Sequence, residues 1–234
     1  MILPTSTYRE VHNAFIQENE KVGYWWVKVY SQIYKRFYTK LKQGQLYLWE
    51  YWTHPVSRNK YLFCYATSRS QILRDKTDAS GQALLVVDDF ANRDFYYSTP
   101  GILLHITSHF IKRYRERCLH DDSVPTEEVV ARYLHRNIGS FLELDPDNLN
   151  YQGERDEMTY NILVPDGVVY FQIGKDSSEG MKDVIVIRYK TFVSESLLNE
   201  EQKKEVDSAR DALRDRLVRE DLEMSVRKED AGEK

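Results

Sequence analysis

Three basic side chains follow one another at steps of four residues in the stretch GILLHITSHFIKRYRERC, residues 101 to 118. They are His109, Arg113 and Arg117. Residues three or four positions apart share one face of an α-helix, so these three side chains would form a single stripe if the stretch is helical. An imidazole can take up or release a proton near neutral pH, and guanidinium groups bind phosphate oxygens in pairs. The stripe therefore predicts proton transfer beside a bound phosphate.

The same stripe also has an interpretation without function. Arginine-rich faces are common on solvated helices, and these arginines can pair with the acidic stretch 121 to 128. Between His105 and Cys118 the chain has one acid, Glu116, and four basic residues, which are Lys112, Arg113, Arg115 and Arg117. Spacing alone leaves both interpretations open. In the functional one, Lys112 and Arg115 are candidate contacts to nucleic acid.

The elements around the stripe follow from local patterns. ILLHI predicts a short buried strand, and Thr107 or Ser108 is a suitable N-cap for the basic helix. Pro125 and the acids after it predict a second helix that runs to about residue 137. Three strands are expected at 158–164, 168–174 and 184–193, with Asp166-Gly167 as a hairpin signal between the first two. On the last strand the alternation places Arg188 and Lys190 on one face and Thr191 on the other.

The order of these elements resembles a small family of bacterial and phage-borne domains of unknown function. Its mark is the helix H-x-x-x-R-x-x-x-R, here HFIKRYRER, preceded by ILLHITS and followed by SVPTEEVV and by the paired strands GVVYFQIGKD and DVIVIRYKTFV. That family is grouped with BrnT-type and RelE-type toxins in the barnase, EndoU and colicin-like ribonuclease assemblage. The resemblance covers roughly residues 100 to 200. Residues 1 to 99 have no counterpart in it, and the insert at 139–157 departs from it.

The resemblance implies metal-independent RNA cleavage through attack by the 2′-hydroxyl. Such chemistry needs a base, an acid for the leaving 5′-oxygen, and cations around the phosphate. By this resemblance His109 is the base or the acid, Arg113 and Arg117 hold the scissile phosphate, and Lys190 and Thr191 join them from the closing strand. Secondary candidates are Tyr114 and His105, although the position of His105 on a strand favours a hydrogen-bonded structural histidine. No cofactor is implied. The expected partners are RNA and a cognate antitoxin or another acidic protein.

The N-terminal part carries a second basic feature. The segment 21–49 has six Lys or Arg, no acid and nine aromatic residues, a mixture that can bind nucleic acid through phosphates and stacked bases. Helical spacing of the aromatics favours core packing instead, with helices at 7–20 and 22–43. A lysine face on the second helix, which includes Lys28 and Lys35, can still contact RNA. Beyond it we expect a hairpin (45–53 and 60–67), a polar segment (68–80), a buried strand (83–90) and a loop (91–100).

Bulk properties narrow the class of protein. The chain of 234 residues has 41% apolar and 30% charged residues, a net charge of -4 and two cysteines, which is typical of a globular protein in a reducing compartment. The N-terminus lacks the pattern of a signal peptide and the chain lacks an apolar run of 18 residues, so we expect a cytoplasmic protein without a membrane partner. His105 and His109 are four apart but are predicted on different elements, so no metal site is expected.

The sequence thus predicts an α+β fold, with a mostly antiparallel sheet flanked by helices and a long C-terminal helix over 195–228. It divides into an N-terminal part (1–99, helical with a β-hairpin, and either separate or integral to one domain), a toxin-like core (100–200) and a charged helix and tail (201–234). The main hypothesis is a toxin-like ribonuclease or RNA-binding domain. The alternatives are a non-catalytic bacterial or phage protein that uses its basic face for nucleic acid or an acidic partner, and a structural accessory protein. They differ in whether His109 and the arginines face one cavity near Lys190 or Thr191.

Overall fold

The structure, a computed structural model, describes residues 1–42, 47–66, 80–89, 92–142, 159–177 and 183–201, and residues 203, 204, 207, 208 and 211. Its helices are α1 (Tyr8–Lys42), α2 (Ser108–Tyr114) and α3 (Thr126–Leu142), with a π-helical turn at Arg115–Leu119 and a 3₁₀ turn at Glu195–Leu197. Its strands are β1 (Tyr47–Thr53), β2 (Lys60–Ala66), β3 (Ser80–Asp88), β4 (Arg93–Thr99), β5 (Ile102–Ile106), β6 (Thr159–Val164), β7 (Gly167–Asp176) and β8 (Val184–Ser194).

All the described strands belong to one sheet in the order β1-β2-β3-β4-β5-β8-β7-β6. Its pairings are antiparallel except that of β5 with β8, which is parallel. Helix α1 packs on one face through Val11, Phe15 and Val22, and helices α2 and α3 pack on the other through residues such as Phe110 and Val130. The predicted α+β fold with a mostly antiparallel sheet is confirmed. The sheet joins the N-terminal part to residues 100–200.

The N-terminal helix differs from the expectation of two helices. Helix α1 runs without a break from Tyr8 to Lys42 and passes through Gly23. A glycine inside a helix costs only about 1 kcal/mol, which packing on both sides can offset. Phe15 and Val22 are both buried against the same face of the sheet, so the apolar stripe continues across the predicted boundary.

Strand β4 was not expected, since 91–100 was predicted to be a loop. Its pairing with β3 and β5 buries Phe95 on the α2 and α3 side of the sheet and Tyr96 on the α1 side. A strand buried on both faces lacks the alternation of polar and apolar residues by which a half-buried strand is recognised. A turn at Pro100-Gly101 leads into β5, and the φ of 84° at Gly101 is one that glycine adopts readily.

Strand β8 contains a β-bulge at Lys190. Tyr170 pairs with Thr191 and Phe171 with Tyr189, so Lys190 is the extra residue on its strand. A bulge shifts the alternation of side chains beyond it. Tyr189 and Phe192 accordingly both enter the core under α2, although they are three residues apart. Simple alternation predicted Lys190 and Thr191 on opposite faces of the strand. That prediction is wrong because the bulge at Lys190 shifts the alternation from Thr191 onward.

The expected long C-terminal helix has no support in the structure. The chain after β8 forms the 3₁₀ turn Glu195–Leu197, where that helix was predicted to begin. Most of its expected length, and most of the segments 68–80 and 139–157, lie outside the described residues. Across the described ranges, no helix has an apolar stretch that would cross a membrane.

Candidate functional site

A cavity of about 370 Å³ opens on the α1 face of the sheet, beyond the carboxyl end of β5 and beside the middle of β8. Its lining includes three basic side chains and two acidic ones: His109, Arg188, Lys190, Asp89 and Asp94. Strand β5 pairs with β8 in parallel here, and ligands of α/β proteins commonly bind beyond the carboxyl ends of parallel strands. The cavity brings together His109 and Lys190, which the sequence proposed for one site.

His109 owes its position to the cap of α2. The Thr107 hydroxyl accepts a hydrogen bond from the Phe110 amide at 3.1 Å, so Thr107 is the N-cap, and it donates one to the Tyr189 carbonyl of β8 at 2.7 Å. Phe110 and Ile111 bury the opposite side of the helix. His109, in the first turn, is therefore exposed on the cavity side, with no hydrogen-bond partner within the described part of the chain.

Arg188 and Lys190 supply positive charge from β8. Neither side chain is in a hydrogen bond or ion pair within the described residues. Partial burial, together with the neighbouring Arg188 charge, lowers the pKa of Lys190. Two adjacent unpaired cations repel each other, and an anion between them would relieve that repulsion. Arg188 and Lys190 lie two residues apart and share one face of β8, because the bulge shifts the alternation of side chains only beyond Lys190.

Asp94 links β4 to β5 and to the start of α2 at the wall of the cavity. One carboxylate oxygen accepts from the Ser108 amide at 2.7 Å, and the other lies 2.8 Å from Nε2 of His105. Burial alone would raise the pKa of Asp94, but the hydrogen bonds from His105 and Ser108 outweigh it and the pKa is lowered. His105 is 3% exposed and stacks on Tyr96, with ring centroids 4.4 Å apart. The hydrogen bonding expected of His105 is confirmed by its contact with Asp94.

The arginines of the stripe do not line this cavity. Nη1 of Arg113 is 2.8 Å from Oε2 of Glu116, while Nη1 of Arg117 donates to the Phe192 carbonyl at 2.5 Å. For Arg117 the reason is the π-helical turn at Arg115–Leu119, which replaces α-helical spacing after Tyr114. Arg113 lies before that turn, within α2, and is paired with Glu116 instead. The single stripe expected from His109 to Arg117 therefore does not form.

The remaining candidates divide into four groups. Lys112 and Arg115 line a wider groove that continues from the cavity through His109, although Arg115 also donates to the Thr126 hydroxyl at 2.9 Å. Tyr114 is buried and donates to Asp166 at 2.5 Å, which is a structural contact. Thr191 pairs with Tyr170 of β7 and is not among the residues that line the cavity. The side chains of Lys28 and Lys35 lie outside the described residues.

Some residues of the site were not predicted, because they belong to no recognisable sequence motif. Asp94 stands at the start of the unexpected strand β4, and Tyr8 approaches His105 from α1. Arg188 was placed on the face of Lys190 by alternation but was not proposed for the site. The charged pair Arg93-Asp94 before the run FYYST was the one available signal for Asp94. Within the described ranges, no three side chains of His, Cys, Asp or Glu are grouped as metal ligands are.

The pair of Asp94 and His105 predicts that acid weakens the fold. The pKa of His105 is lowered from 6.5, chiefly by burial, and that of Asp94 is lowered from 3.8, so both groups bind protons more weakly in the folded state. Their contributions are present above the unfolded pKa values and are lost as pH falls through the folded ones. We expect the free energy of unfolding, measured in urea, to fall below pH 6.5 and again below pH 4. In His105→Gln the first decrease should be smaller; an unchanged pH profile would contradict this assignment.

A scan against protein-family models, a search of curated proteins and a search of solved structures each found no match to this chain.

Proposed function

We propose that this chain is a toxin-like, metal-independent ribonuclease or RNA-binding domain whose phosphate site is formed by His109, Arg188 and Lys190. The observation that carries the proposal is that these three basic side chains line one cavity without protein partners in the described part of the chain. Unpaired cations at one cavity are costly to bring together without an anion. Arg113 and Arg117, by contrast, already have partners.

The side chains that line the cavity have the chemistry to bind and cleave a phosphodiester. Arg188 offers the bidentate geometry that matches phosphate oxygens, and Lys190 adds a compact charge. His109, exposed at the cavity mouth, can protonate the leaving 5′-oxygen. The groove that continues past His109 to Lys112 and Arg115 gives a path for the rest of the strand. Its acids, which include Asp88 and Glu116, limit the affinity that such a path would have for a long polyanion.

The alternative is a protein that binds without cleaving. It is favoured by the contacts of Arg113 and Arg117, since two of the three groups in the predicted stripe bind Glu116 and the Phe192 carbonyl instead of facing the cavity. The cations of the cavity would then hold RNA or an acidic protein, such as a cognate antitoxin, without proton transfer.

The deciding experiment measures the binding and cleavage of a short RNA by the parent, Arg188→Ala and Lys190→Ala. Each phosphate contact removed should weaken binding by roughly tenfold at low salt and reduce the salt dependence of log Kd by about one. Arg113→Ala is the matched control, because it removes a guanidinium of the same protein outside the cavity, and it should bind within about twofold of the parent.

The outcomes separate the possibilities. Cleavage that disappears with the cavity cations supports the enzyme, and binding without cleavage supports the alternative. If Arg188→Ala and Lys190→Ala bind as the parent does, or if Arg113→Ala loses as much affinity as they do, the phosphate site is not where we propose it.

A further inference from the structure

A second group capable of proton transfer lines another cavity that Arg188 also borders. The hydroxyl of Tyr8 is 3.2 Å from Nδ1 of His105, and Nε2 of His105 is 2.8 Å from Asp94. The three side chains come from α1, β5 and β4, so the sheet assembles them from segments far apart in the chain. A hydroxyl, an imidazole and a carboxylate in this order are the arrangement by which proteins activate an oxygen.

The proton positions in this chain follow from its charges. Hydrogen bonds keep Asp94 ionised by lowering its pKa, so its oxygens accept and Nε2 of His105 must carry a hydrogen. Burial lowers the pKa of His105 and keeps its ring neutral, so Nδ1 accepts the hydrogen of the Tyr8 hydroxyl. The lone pairs of the Tyr8 oxygen are then left to accept a hydrogen bond from a ligand.

Tyr8 is held firmly at this position. Thr7 and Glu10 form a capping box at the start of α1: the Thr7 amide donates to Glu10 at 2.7 Å, and the Glu10 amide donates to the Thr7 hydroxyl at 3.3 Å. The next residue, Arg9, is tied to β7 by a hydrogen bond of 2.9 Å from its amide to Asp176. The hydroxyl therefore has a fixed location beside the sheet.

Tyr8 lines a cavity of about 410 Å³ that also contains Arg188, Gln172 and Ser177. Arg188 lines this cavity as well as the one that contains His109. A phosphate at Arg188 would thus border both cavities, with His109 lining one and Tyr8 lining the other. Attack by a 2′-hydroxyl proceeds in line with the departing 5′-oxygen, so the base and the acid must approach a phosphate from different sides.

We propose that Tyr8 accepts the hydrogen of the ribose 2′-hydroxyl next to the phosphate at Arg188, with His105 and Asp94 as positioning residues behind it. This inference rests on the proposed function and names its substrate class as ribonucleotides rather than deoxyribonucleotides. In cleavage the 2′-oxygen gives its proton to Tyr8, and Tyr8 passes its own proton to Nδ1 of His105. The bond from the 2′-oxygen to phosphorus forms, the bond to the 5′-oxygen breaks, and protonated His109 supplies the proton to that oxygen. The products are a 2′,3′-cyclic phosphate and a 5′-hydroxyl.

The test compares RNA and DNA of the same short sequence as ligands. Binding is measured in a His109→Ala background so that the RNA stays intact, with and without Tyr8→Phe, which removes only the hydroxyl oxygen. We expect the His109→Ala protein to bind RNA about 5- to 10-fold tighter than DNA, and the double variant to bind both within twofold. Tyr24→Phe is the control, because Tyr24 lies on the same helix and is 72% exposed; it should keep the preference for RNA.

A second readout separates a structural role from a chemical one. With the His109 side chain present, Tyr8→Phe and His105→Gln should each lower the rate constant of RNA cleavage by about 10²-fold or more. KM should change little in His105→Gln, and in Tyr8→Phe it should rise by no more than about 5- to 10-fold, the contribution of the lost contact to the 2′-hydroxyl. A preference for RNA that survives Tyr8→Phe, or a parent that binds RNA and DNA equally, overturns the inference and leaves the phosphate site standing. Failure to bind either nucleic acid overturns both.

Discussion

His109→Ala is expected to lower the rate of RNA cleavage by about 10²- to 10⁴-fold while leaving the affinity for RNA within a few-fold of the parent. This range is what a single proton donor or acceptor contributes in a transition state. Affinity should change little because Arg188 and Lys190 supply most of the charge at the cavity. A loss seen in the rate constant but not in binding is the signature of an interaction made only in the transition state.

We expect His109→Ala to be as stable as the parent, so that a loss of cleavage would not be caused by unfolding. His109 is exposed and has no hydrogen-bond partner in the described part of the chain, so its truncation should change the free energy of unfolding by no more than about 0.5 kcal/mol. The control is Arg113→Ala, because Arg113 lies on the same short helix and lines neither the cavity nor the groove. Single-turnover cleavage with both variants checks the prediction. Equal rates in His109→Ala and the parent would remove His109 from the chemistry.

The parts of the fold that the sequence predicted correctly have local causes. Thr107 caps α2 through its own hydroxyl, and Pro125 precedes the first turn of α3, as such residues do in most helices. The strands β6 and β7 were found from their apolar runs and the Asp166-Gly167 signal, although the structure places the two-residue turn at Pro165-Asp166 and Gly167 in the strand. Each of these features depends on a few neighbouring residues.

The features that escaped prediction depend on distant segments. Strand β4 exists because β3 and β5 supply its hydrogen-bond partners on both sides. The bulge at Lys190 is defined by the register of β8 against β7, and no residue near it signals an extra position. The π-helical turn after Tyr114 ends at His120, whose φ of 50° stops the helix. Extending α-helical spacing through that turn is what placed Arg117 wrongly beside His109.

The difference between local causes and distant segments also explains which residues of the site were predicted. His109 and Lys190 were found because they belong to elements with clear local patterns. Asp94 and Tyr8 come from the N-terminal part of the chain, to which the resemblance does not extend. They contact His105 only after the sheet is complete. The N-terminal part thus contributes to the proposed chemistry as well as to the core, which a comparison limited to residues 100–200 could not have indicated.

Gly167→Ala is expected to reduce the free energy of unfolding by about 3 kcal/mol or more. Gly167 has a φ of 148°, and a Cβ there would lie 2.3 Å from the carbonyl oxygen of Val193. That oxygen belongs to the backbone of β8 and cannot move without disturbing the pairing of β7 with β8. The cost combines a backbone conformation that is nearly restricted to glycine, about 1–3 kcal/mol, with overpacking of a similar size.

The matched control is Gly174→Ala on the same strand. A Cβ at Gly174 would meet nothing within 4 Å, so we expect no loss of stability, or a gain of up to about 1 kcal/mol from a less flexible unfolded chain. Urea unfolding of both variants measures the difference. Equal stability of Gly167→Ala and Gly174→Ala would mean that β7 does not approach β8 as described. The register that creates the bulge at Lys190 would then be in doubt as well, because Gly167 and Lys190 lie along the same pair of strands. The stability of one glycine variant therefore tests the geometry on which the phosphate site depends.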